Sequence, residues 1–331
     1  MSRWSLNTYI PGGTMSNVNI KGGLRKSVQR VKRDGDLIVT PRFHSFLTSD
    51  EAQQPLPDEH ADIIRDLLTT PPRDRRLSFS PSSLHRCERR QVFAFAGFPQ
   101  QRQLNSDLMN LFADGTWRHL RLQATMLHAG ILDEVEKPID VPKYRLKGSI
   151  DGIGTDEHGK WILEAKGMHQ FQFDDLMLSS GGPKEEHIKQ GAGYSIATNI
   201  RRVAFFYECK GTQKTKEFDI DYTIPAWSKY IDELGERLER LNKNIFNMTL
   251  PPILTGDAAV ECKSCPFLDI CSHATDNDLE KHIEESMDDS KPKPRKVPKP
   301  GALKKKPKKE PVTHLKRSLR EEDKPWRLRG R

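Results

Sequence analysis

Two acidic residues and a lysine lie on neighbouring short segments near the middle of the chain. Asp151 ends GSID, and Glu164-Ala165-Lys166 begins 13 residues later in GKWILEAKG. Residues i and i+2 of a strand point to the same face, so Glu164 and Lys166 share a face if this segment is extended. Antiparallel pairing of the two segments would set Asp151 opposite Glu164. Two carboxylates and the Ala165 carbonyl would form a hard oxygen site suited to Mg²⁺ or Mn²⁺.

Lys166 would complete a site for phosphoryl chemistry. A lysine beside such a metal site can hold an attacking water and stabilise charge that develops on a phosphoryl oxygen. Charged residues also alternate on many half-exposed strands, so this spacing alone favours an ordinary strand. Other polar candidates are His119 in GTWRH, and Gln190 and Tyr194, which lie four apart on one predicted helix face. Taken singly, each of these is explained by packing.

The cysteines give a second, independent signal. Cys262, Cys265 and Cys271 have the spacing C-x₂-C-x₅-C, which is typical of thiolates that converge on one metal centre. Cys87, 175 residues before Cys262, would be a fourth ligand if the fold brings the two ends together. Spacing alone leaves open an iron–sulfur cluster, Zn²⁺ with four cysteines, or Zn²⁺ with His273 in place of Cys87. The fifth cysteine, Cys209, is expected to be an ordinary small buried residue.

The elements that position these residues are predicted from hydrophobic periodicity and turn residues. The sequence predicts an α/β core with a mixed sheet, because helical and extended segments alternate. Helices are expected from Ser80-Pro81 to Gly97 or Pro99 and over 105–129, 183–199 and 225–246. Strands are expected within 131–141, 144–154 and 159–167, with a hairpin over 201–211 and 214–222.

The order GxxxH, D, ExK, QxxxY along these elements resembles the RecB-like branch of the PD-(D/E)xK nuclease superfamily. The resemblance covers residues 80–272, and it implies a restriction-endonuclease-like mixed sheet flanked by helices. It departs from the superfamily name at one point, because Ile150 and not proline precedes Asp151. By resemblance, His119, Asp151, Glu164 and the Ala165 carbonyl are metal ligands, and Lys166 orients the attacking water. Gln190 and Tyr194 would line the cleft and position Lys166 or the DNA backbone.

One remote cysteine and a C-terminal trio resemble the iron–sulfur subgroup of these nucleases. That subgroup includes CRISPR-associated exonucleases and AddB-type helicase–nuclease subunits. The resemblance implies a [4Fe–4S] cluster on Cys87, Cys262, Cys265 and Cys271, with Zn²⁺ as the alternative. Such a centre would form a small subdomain that clips the segment after the last long helix onto the first core helix.

Charge is distributed unevenly along the chain. The whole sequence has a net charge of +8, but residues 291–331 contain 17 Lys and Arg against 4 Asp and Glu, with 7 prolines. The preceding residues are therefore mildly acidic. We expect a weakly structured extension over 1–75, a nuclease core with iron–sulfur-binding ends over 76–275, and a linker with a disordered basic tail over 276–331.

The composition excludes some classes of protein, and the resemblance implies a DNA exonuclease. No run reaches the roughly 18–20 apolar residues of a membrane helix, and the start lacks a signal-peptide core, so a cytoplasmic protein (in the host cytoplasm if viral) is expected. The resemblance implies a metal-dependent exonuclease on single-stranded DNA or duplex ends, in replication, recombination or degradation. With no G-x₄-G-K-[ST] loop, unwinding would need a helicase or recombination partner. The alternatives are a non-catalytic DNA-binding or scaffold protein and a structure-specific endonuclease.

Overall fold

The computed structural model describes residues 37–70, 77–101, 105–178 and 182–288. The predicted basic tail and the first 36 residues lie outside these ranges. The helices are α1 (Thr40–Leu47), α2 (Asp58–Thr69), α3 (Glu88–Ala96), α4 (Ser106–His128), α5 (Gln170–Leu178), α6 (Glu185–Thr198), α7 (Pro225–Phe246), α8 (Leu268–Cys271) and α9 (Asp276–Met287). The strands are β1 (Glu134–Val141), β2 (Leu146–Asp156), β3 (Gly159–Met168), β4 (Arg202–Cys209) and β5 (Thr215–Asp221).

The strands form one mixed sheet in the order β1-β2-β3-β4-β5. Neighbouring strands are antiparallel except for the parallel pair β3 and β4. A parallel pair needs a long crossover, and α5 and α6 provide it. The predicted mixed sheet flanked by helices is therefore confirmed at this level, and so are the predicted positions of the strands and of α4, α6 and α7.

Hydrophobic residues cover the sheet on both faces. Trp161, Leu163 and Ala165 of β3 pack in a cluster with α1 and α4, whereas Ile162 belongs to a larger cluster with α3, α6, α7 and α9. Side chains alternate along a strand, so Glu164 faces the same side as Ile162, towards α6. Such a doubly covered sheet can hold a buried charge only if that charge finds a partner.

The strands β2 and β3 separate at the functional end of the sheet. Their pairing runs from Asp156↔Gly159 to Gly152↔Leu163, and the preceding part of β2 pairs with β1 and not with β3. The last part of β3 pairs with β4. Asp151 and Glu164 are the next residues on either side of this fork, which agrees with the expected placement of Asp151 across from Glu164.

The N-terminal part of the chain differs from expectation. Weak structure was expected over 1–75, but residues 37–70 contain α1 and α2. The apolar residues Ile38, Val39 and Phe43 explain the difference, because they are buried in the cluster that covers β3. The carboxylate of Glu217 on β5 also accepts hydrogen bonds from the backbone N–H groups of Val39 (2.8 Å) and Thr40 (2.6 Å).

Two other predicted boundaries are wrong. The helix expected from Ser80 is interrupted: Pro81–Ser83 form a short 3₁₀ turn, and α3 begins only at Glu88. The core also extends beyond 275, because α9 buries Leu279 and Ile283. A capping box between Thr275 and Asp278 starts α9, a local signal that the expected linker over 276–331 left out.

Among the described residues, no helix combines the length and the apolar character that a bilayer crossing requires.

Candidate active site

The fork between β2 and β3 brings the two predicted carboxylates together. The carboxylate of Asp151 accepts a hydrogen bond of 2.8 Å from the backbone N–H of Ala165. That N–H lies beyond the last β2–β3 ladder pair, so the side chain replaces a strand as its acceptor. The bond fixes the β2 acid against the segment that carries Glu164 and Lys166.

Glu164 is fully buried, and its closest charged partner is the ammonium group of Lys166. Neither carboxylate oxygen has a hydrogen-bond donor of good geometry among the described residues. Burial raises the pKa of Glu164 to about 7, although Lys166 acts in the opposite direction. Burial alone would lower the pKa of Lys166, but Glu164 and Asp151 hold it above its ordinary value, so the lysine is an ammonium ion at neutral pH.

His119 lies near the middle of α4, the helix that covers the opposite face of the sheet from α6. Its imidazole approaches the carboxylate of Asp151. Its Nδ1 lies 3.5 Å from Oδ1 of Asp151, and this charge raises the pKa of His119 to about 9. Burial would raise the pKa of Asp151, but His119, Lys166 and the N–H of Ala165 together keep it below the ordinary value. Without a metal, His119 and Asp151 therefore form an ion pair.

Glu136 is a candidate ligand that the sequence reasoning missed. One ligand atom each from His119, Glu136 and Asp151 lie within 4.8 Å of one another. Glu136 on β1 has a positive φ of 46°. The flanking pairs Val135↔Gly152 and Lys137↔Ile150 set it opposite Asp151. The signal was weak, because an acid in EVEKP on an edge strand is usually solvated.

Gln123 holds Glu136 and Asp151 in place. Its amide Nε2 donates to Oε1 of Glu136 (3.1 Å) and to the backbone carbonyl of Asp151 (2.8 Å). Gln123 is only 1% exposed. It lies four residues after His119 and hence on the same face of α4, a spacing that was available from the sequence.

Gln190 and Tyr194 lie on the α6 side of the fork. Nε2 of Gln190 donates a 2.7 Å hydrogen bond to the hydroxyl of Tyr194, and both side chains are buried. Burial, followed by the charge of Glu164, holds the pKa of Tyr194 well above its ordinary value. The structure therefore brings this pair close enough to Glu164 for electrostatic contact.

His187 and Tyr207 form a further buried pair near Lys166 that the sequence reasoning missed. Nδ1 of His187 lies 2.7 Å from the hydroxyl of Tyr207. Burial and then the charge of Lys166 lower the pKa of His187 to about 3, so its ring is neutral. The sequence did show that His187 lies three residues before Gln190, and hence on the same face of the predicted helix.

The four predicted cysteine ligands line one cavity. Cys87 at the start of α3 meets Cys262, Cys265 and Cys271 there, together with Arg90, Phe93, Leu254, Glu261 and Leu268. Their sulfurs form no disulfide. The backbone N–H of Cys265 donates to the carbonyl of Cys262 at 3.0 Å, which makes the tight turn that the C-x₂-C spacing predicted. His273 is not among the residues that line this cavity.

Hydrogen bonds of Arg89 and Cys87 also connect the start of α3 to the C-terminal part of the core. The guanidinium of Arg89 on α3 donates to the carbonyls of Pro251 (2.7 Å), Cys271 (3.0 Å) and Ala274 (3.0 Å). The backbone N–H of Cys87 donates to the carboxylate of Glu261 at 2.9 Å. The expected contact between the C-terminal trio and the first core helix is therefore present. The buried Cys209 lies elsewhere, and its Sγ contacts Oε1 of Gln170 at 3.0 Å.

Comparisons with known proteins give partial likenesses. No protein-family model matches the chain, and no curated protein matches it in sequence. The crystal structure of SSO0001 is similar over 66% of this chain and 97% of its own, with 18% identity and a TM-score of 0.37. An alkaline exonuclease (LHK-Exo) from Laribacter hongkongensis is similar over 53% of this chain and 96% of its own, with 18% identity and a TM-score of 0.32. The same exonuclease in complex with dAMP has a TM-score of 0.34 at the same identity and coverage.

Proposed function

We propose that this protein is a metal-dependent DNA nuclease of the RecB-like PD-(D/E)xK type, acting as an exonuclease on single strands or duplex ends. The observation that carries the proposal is the fork between β2 and β3. There Asp151 is fixed by the N–H of Ala165, and the buried Glu164 contacts Lys166. An ordinary half-exposed strand would not bury an acid beside a lysine at the point where two strands separate.

The donor set fits a divalent cation. Glu164 has carboxylate oxygens that are buried without a hydrogen-bond donor of good geometry, and a cation would satisfy them. His119, Glu136 and Asp151 have ligand atoms close enough together to share one ion, and the resemblance adds Glu164 and the Ala165 carbonyl as ligands. These hard oxygen donors with one imidazole suit Mg²⁺ or Mn²⁺. When bound, such an ion supplies positive charge for the phosphoryl oxygens and lowers the pKa of a water.

Lys166 would orient the attacking water and would not remove its proton. Its pKa is raised by Glu164 and Asp151, so the side chain stays protonated and can only donate hydrogen bonds. A fixed ammonium group also stabilises negative charge as it develops on a phosphoryl oxygen. The contact with Glu164 limits the rotamers of Lys166 and so keeps its Nζ at the fork.

Gln190 and Tyr194 would line the α6 side of the cleft. The hydroxyl of Tyr194 accepts its hydrogen bond from Gln190, which leaves the hydroxyl proton free to donate towards Glu164 or a DNA phosphate. Burial holds that hydroxyl in its protonated form, so it can act only as a neutral donor. This is a positioning role.

We also infer that Cys87, Cys262, Cys265 and Cys271 hold a [4Fe–4S] cluster. All four line one cavity, as a cluster held by four thiolates requires. Zn²⁺ on the same four cysteines is the alternative. The role of either centre would be structural, next to the hydrogen bonds formed by Arg89. Iron and zinc analysis, with the visible charge-transfer absorbance of iron thiolates, separates the two metals.

Cleavage assays on linear and circular single-stranded DNA with Mn²⁺ or Mg²⁺ test the nuclease. We expect wild-type protein to degrade linear DNA, and Lys166→Ala to lose at least about 100-fold in rate, as typical for an orienting electrostatic group. Lys160→Ala is the matched control, because Lys160 lies at the exposed start of the same strand. Equal rates for Lys166→Ala and wild type would reject the proposed site, and cleavage of circles would indicate an endonuclease.

A non-catalytic DNA-binding or scaffold protein is the other candidate function. The described chain retains every polar residue of the resembled motif, whereas a binding relative has no need of a buried acid beside a lysine at the fork. Wild-type protein that binds DNA and takes up Mn²⁺ but leaves all substrates intact would favour this candidate.

A further inference from the structure

An open groove lies between α6 and α7. Its lining consists of Lys189 from α6 and six residues of α7: Tyr230, Glu233, Leu234, Glu236, Arg237 and Arg240. Three of these side chains are cationic and two are anionic at neutral pH, so the lining has an excess of positive charge. The nuclease motif does not include any of these residues.

Arg237 is the cation in this groove with unused binding capacity. One of its terminal nitrogens donates to the backbone carbonyl of Arg86, but its Nε is buried and has no acceptor among the described residues. Burial lowers its pKa, and the neighbouring Arg240 acts in the same direction. An anion in the groove would offset the charge of Arg237 and relieve the repulsion between the two guanidinium groups.

The other two cations already have carboxylate partners. Lys189 lies 2.8 Å from Glu185, and Arg240 lies 3.1 Å from Glu88. No ion pair within 4.0 Å is formed by Arg237 with a residue of the described ranges. Arg237 is therefore the principal anchor for an anion, and the paired cations add a weaker long-range attraction.

The groove and the candidate active site share α6, where Lys189 directly precedes Gln190. The Arg86 side chain lies 4.0 Å from Glu186, whose carboxylate is also approached by His85 (3.5 Å) and His187 (3.7 Å). His187 in turn is close enough to Lys166 for that charge to lower its pKa. Arg86 thus links the groove, where its carbonyl binds Arg237, to side chains near Lys166.

We propose that this groove is a phosphate subsite for single-stranded nucleic acid, in which Arg237 binds a phosphate beyond the cleaved bond. The proposal rests on the proposed nuclease function for its choice of nucleic acid as the source of phosphate. Tyr230 in the lining stacks with Trp227 at 6.2 Å between ring centroids, and the ammonium group of Lys229 lies over its ring at 5.1 Å. Cations beside aromatic rings are typical of surfaces that bind single strands.

Salt-dependent binding of a fluorescent oligothymidylate tests the subsite. Anisotropy titrations use the full-length protein without divalent metal, so that no cleavage occurs. Each phosphate contact to a single strand contributes about −0.7 to the slope of log K against log salt, and we expect Arg237→Gln to reduce the slope by about that amount. Arg237→Lys keeps the charge and should keep most of the slope.

Arg201→Gln is the matched control, because Arg201 lies next to the start of β4, away from the fork, and its guanidinium donates to Oδ1 of Asn199 at 3.1 Å. An unchanged slope for Arg237→Gln, or the same reduction for Arg201→Gln, would overturn the subsite. If thermal melting shows that Arg237→Gln does not fold, Lys189→Gln is measured in the same assay. A reduction of the slope smaller than that of one full phosphate contact would support the subsite, and an unchanged slope would reject it. Equal weakening of polyglutamate binding by Arg237→Gln would assign the groove to acidic peptides instead.

This readout is independent of catalysis. A reduced slope in a protein that cuts no DNA would leave the subsite standing and reject the nuclease. An unchanged slope in an active nuclease would reject the subsite alone.

Discussion

Asp151 on β2 binds the backbone N–H of Ala165 on β3 at 2.8 Å, at the point where the two strands separate. The same carboxylate faces His119 from α4 at 3.5 Å. One side chain thus serves as a ladder acceptor, an ion-pair partner and a candidate metal ligand. These roles require different properties of the side chain, because the first needs an oxygen and the other two need its charge.

Asp151→Asn separates these roles. The amide oxygen can still accept from Ala165, so we expect the fold to be retained. The loss of charge should weaken Mn²⁺ binding by about tenfold or more, since even partners of ligands are worth 10- to 100-fold. Isothermal titration calorimetry with Mn²⁺ measures the affinity, and thermal melting controls for folding. Wild-type affinity in a folded Asp151→Asn protein would remove Asp151 from the site.

Gln123→Ala tests the support under Glu136 and Asp151. The change removes two hydrogen bonds and leaves the carbonyl of Asp151 without its donor, so we expect about 10- to 100-fold weaker Mn²⁺ binding. The buried unpaired carbonyl should also cost about 1–3 kcal/mol of unfolding free energy. Gln54→Ala, at an exposed position between α1 and α2, is the control and should change neither quantity. If Gln123→Ala loses stability but keeps full Mn²⁺ affinity, Gln123 is only structural.

The fork residues could be predicted from the sequence, but the full set of groups around them could not. Asp151, Glu164 and Lys166 lie on short strands between Gly and Pro, where a period of two is visible. Glu136 depends on a positive φ within β1 and on the register of β1 with β2, and neither is encoded by a local pattern. Gln123 shares a helix face with His119, but it can support the site only because it is buried. Tertiary packing decides that burial, and the local sequence does not show it.

The ends of the fold show the same limit. The Cys trio was visible as a compact spacing, but its meeting with Cys87 depends on Arg89, whose three carbonyl partners lie more than 160 residues away. The short apolar island Leu37-Ile38-Val39 is visible in the sequence, but in a segment rich in Gly, Pro, Arg and Asp nothing local shows what it packs against. That island folds only because Trp161 and Phe206 leave one face of the sheet to be covered.

Glu217 should make the stability of the N-terminal segment depend on pH. Burial and the nearby Asp219 raise its pKa to about 8, so the folded protein holds a proton there that the unfolded chain releases near pH 4.5. Its stabilising contribution is therefore complete below about pH 4.5 and is lost as the pH rises through about 8. Each unit of pKa difference corresponds to about 1.4 kcal/mol.

Glu217→Gln should abolish this part of the pH dependence. We expect the melting temperature of wild type, relative to that of Glu217→Gln, to fall between pH 5 and pH 9. Glu157→Gln, at an exposed turn, should run parallel to wild type. Parallel curves for wild type and Glu217→Gln would show that Glu217 keeps an ordinary pKa.

Replacement of Cys265 by Ala should lower bound metal and solubility together. The residue lies in the tight turn of the trio and lines the shared cavity, so its loss leaves an incomplete ligand set. Iron and zinc content per chain and the soluble fraction are the measurements. Cys209→Ala, a buried cysteine outside the cavity, should keep full metal content. A soluble, metal-free and fully active Cys265→Ala protein would contradict a structural metal centre.

Deletion of residues 291–331 should weaken DNA binding most at low salt and leave cleavage unchanged. This segment, outside the described residues, contains 17 Lys and Arg against 4 Asp and Glu, so its attraction to phosphates is electrostatic and screened by ions. Affinity measured from low to high salt should converge with that of the full chain, because screening removes the difference. Turnover at saturating DNA should be equal for both proteins. A collapse of turnover at saturation would instead make the tail part of the active site.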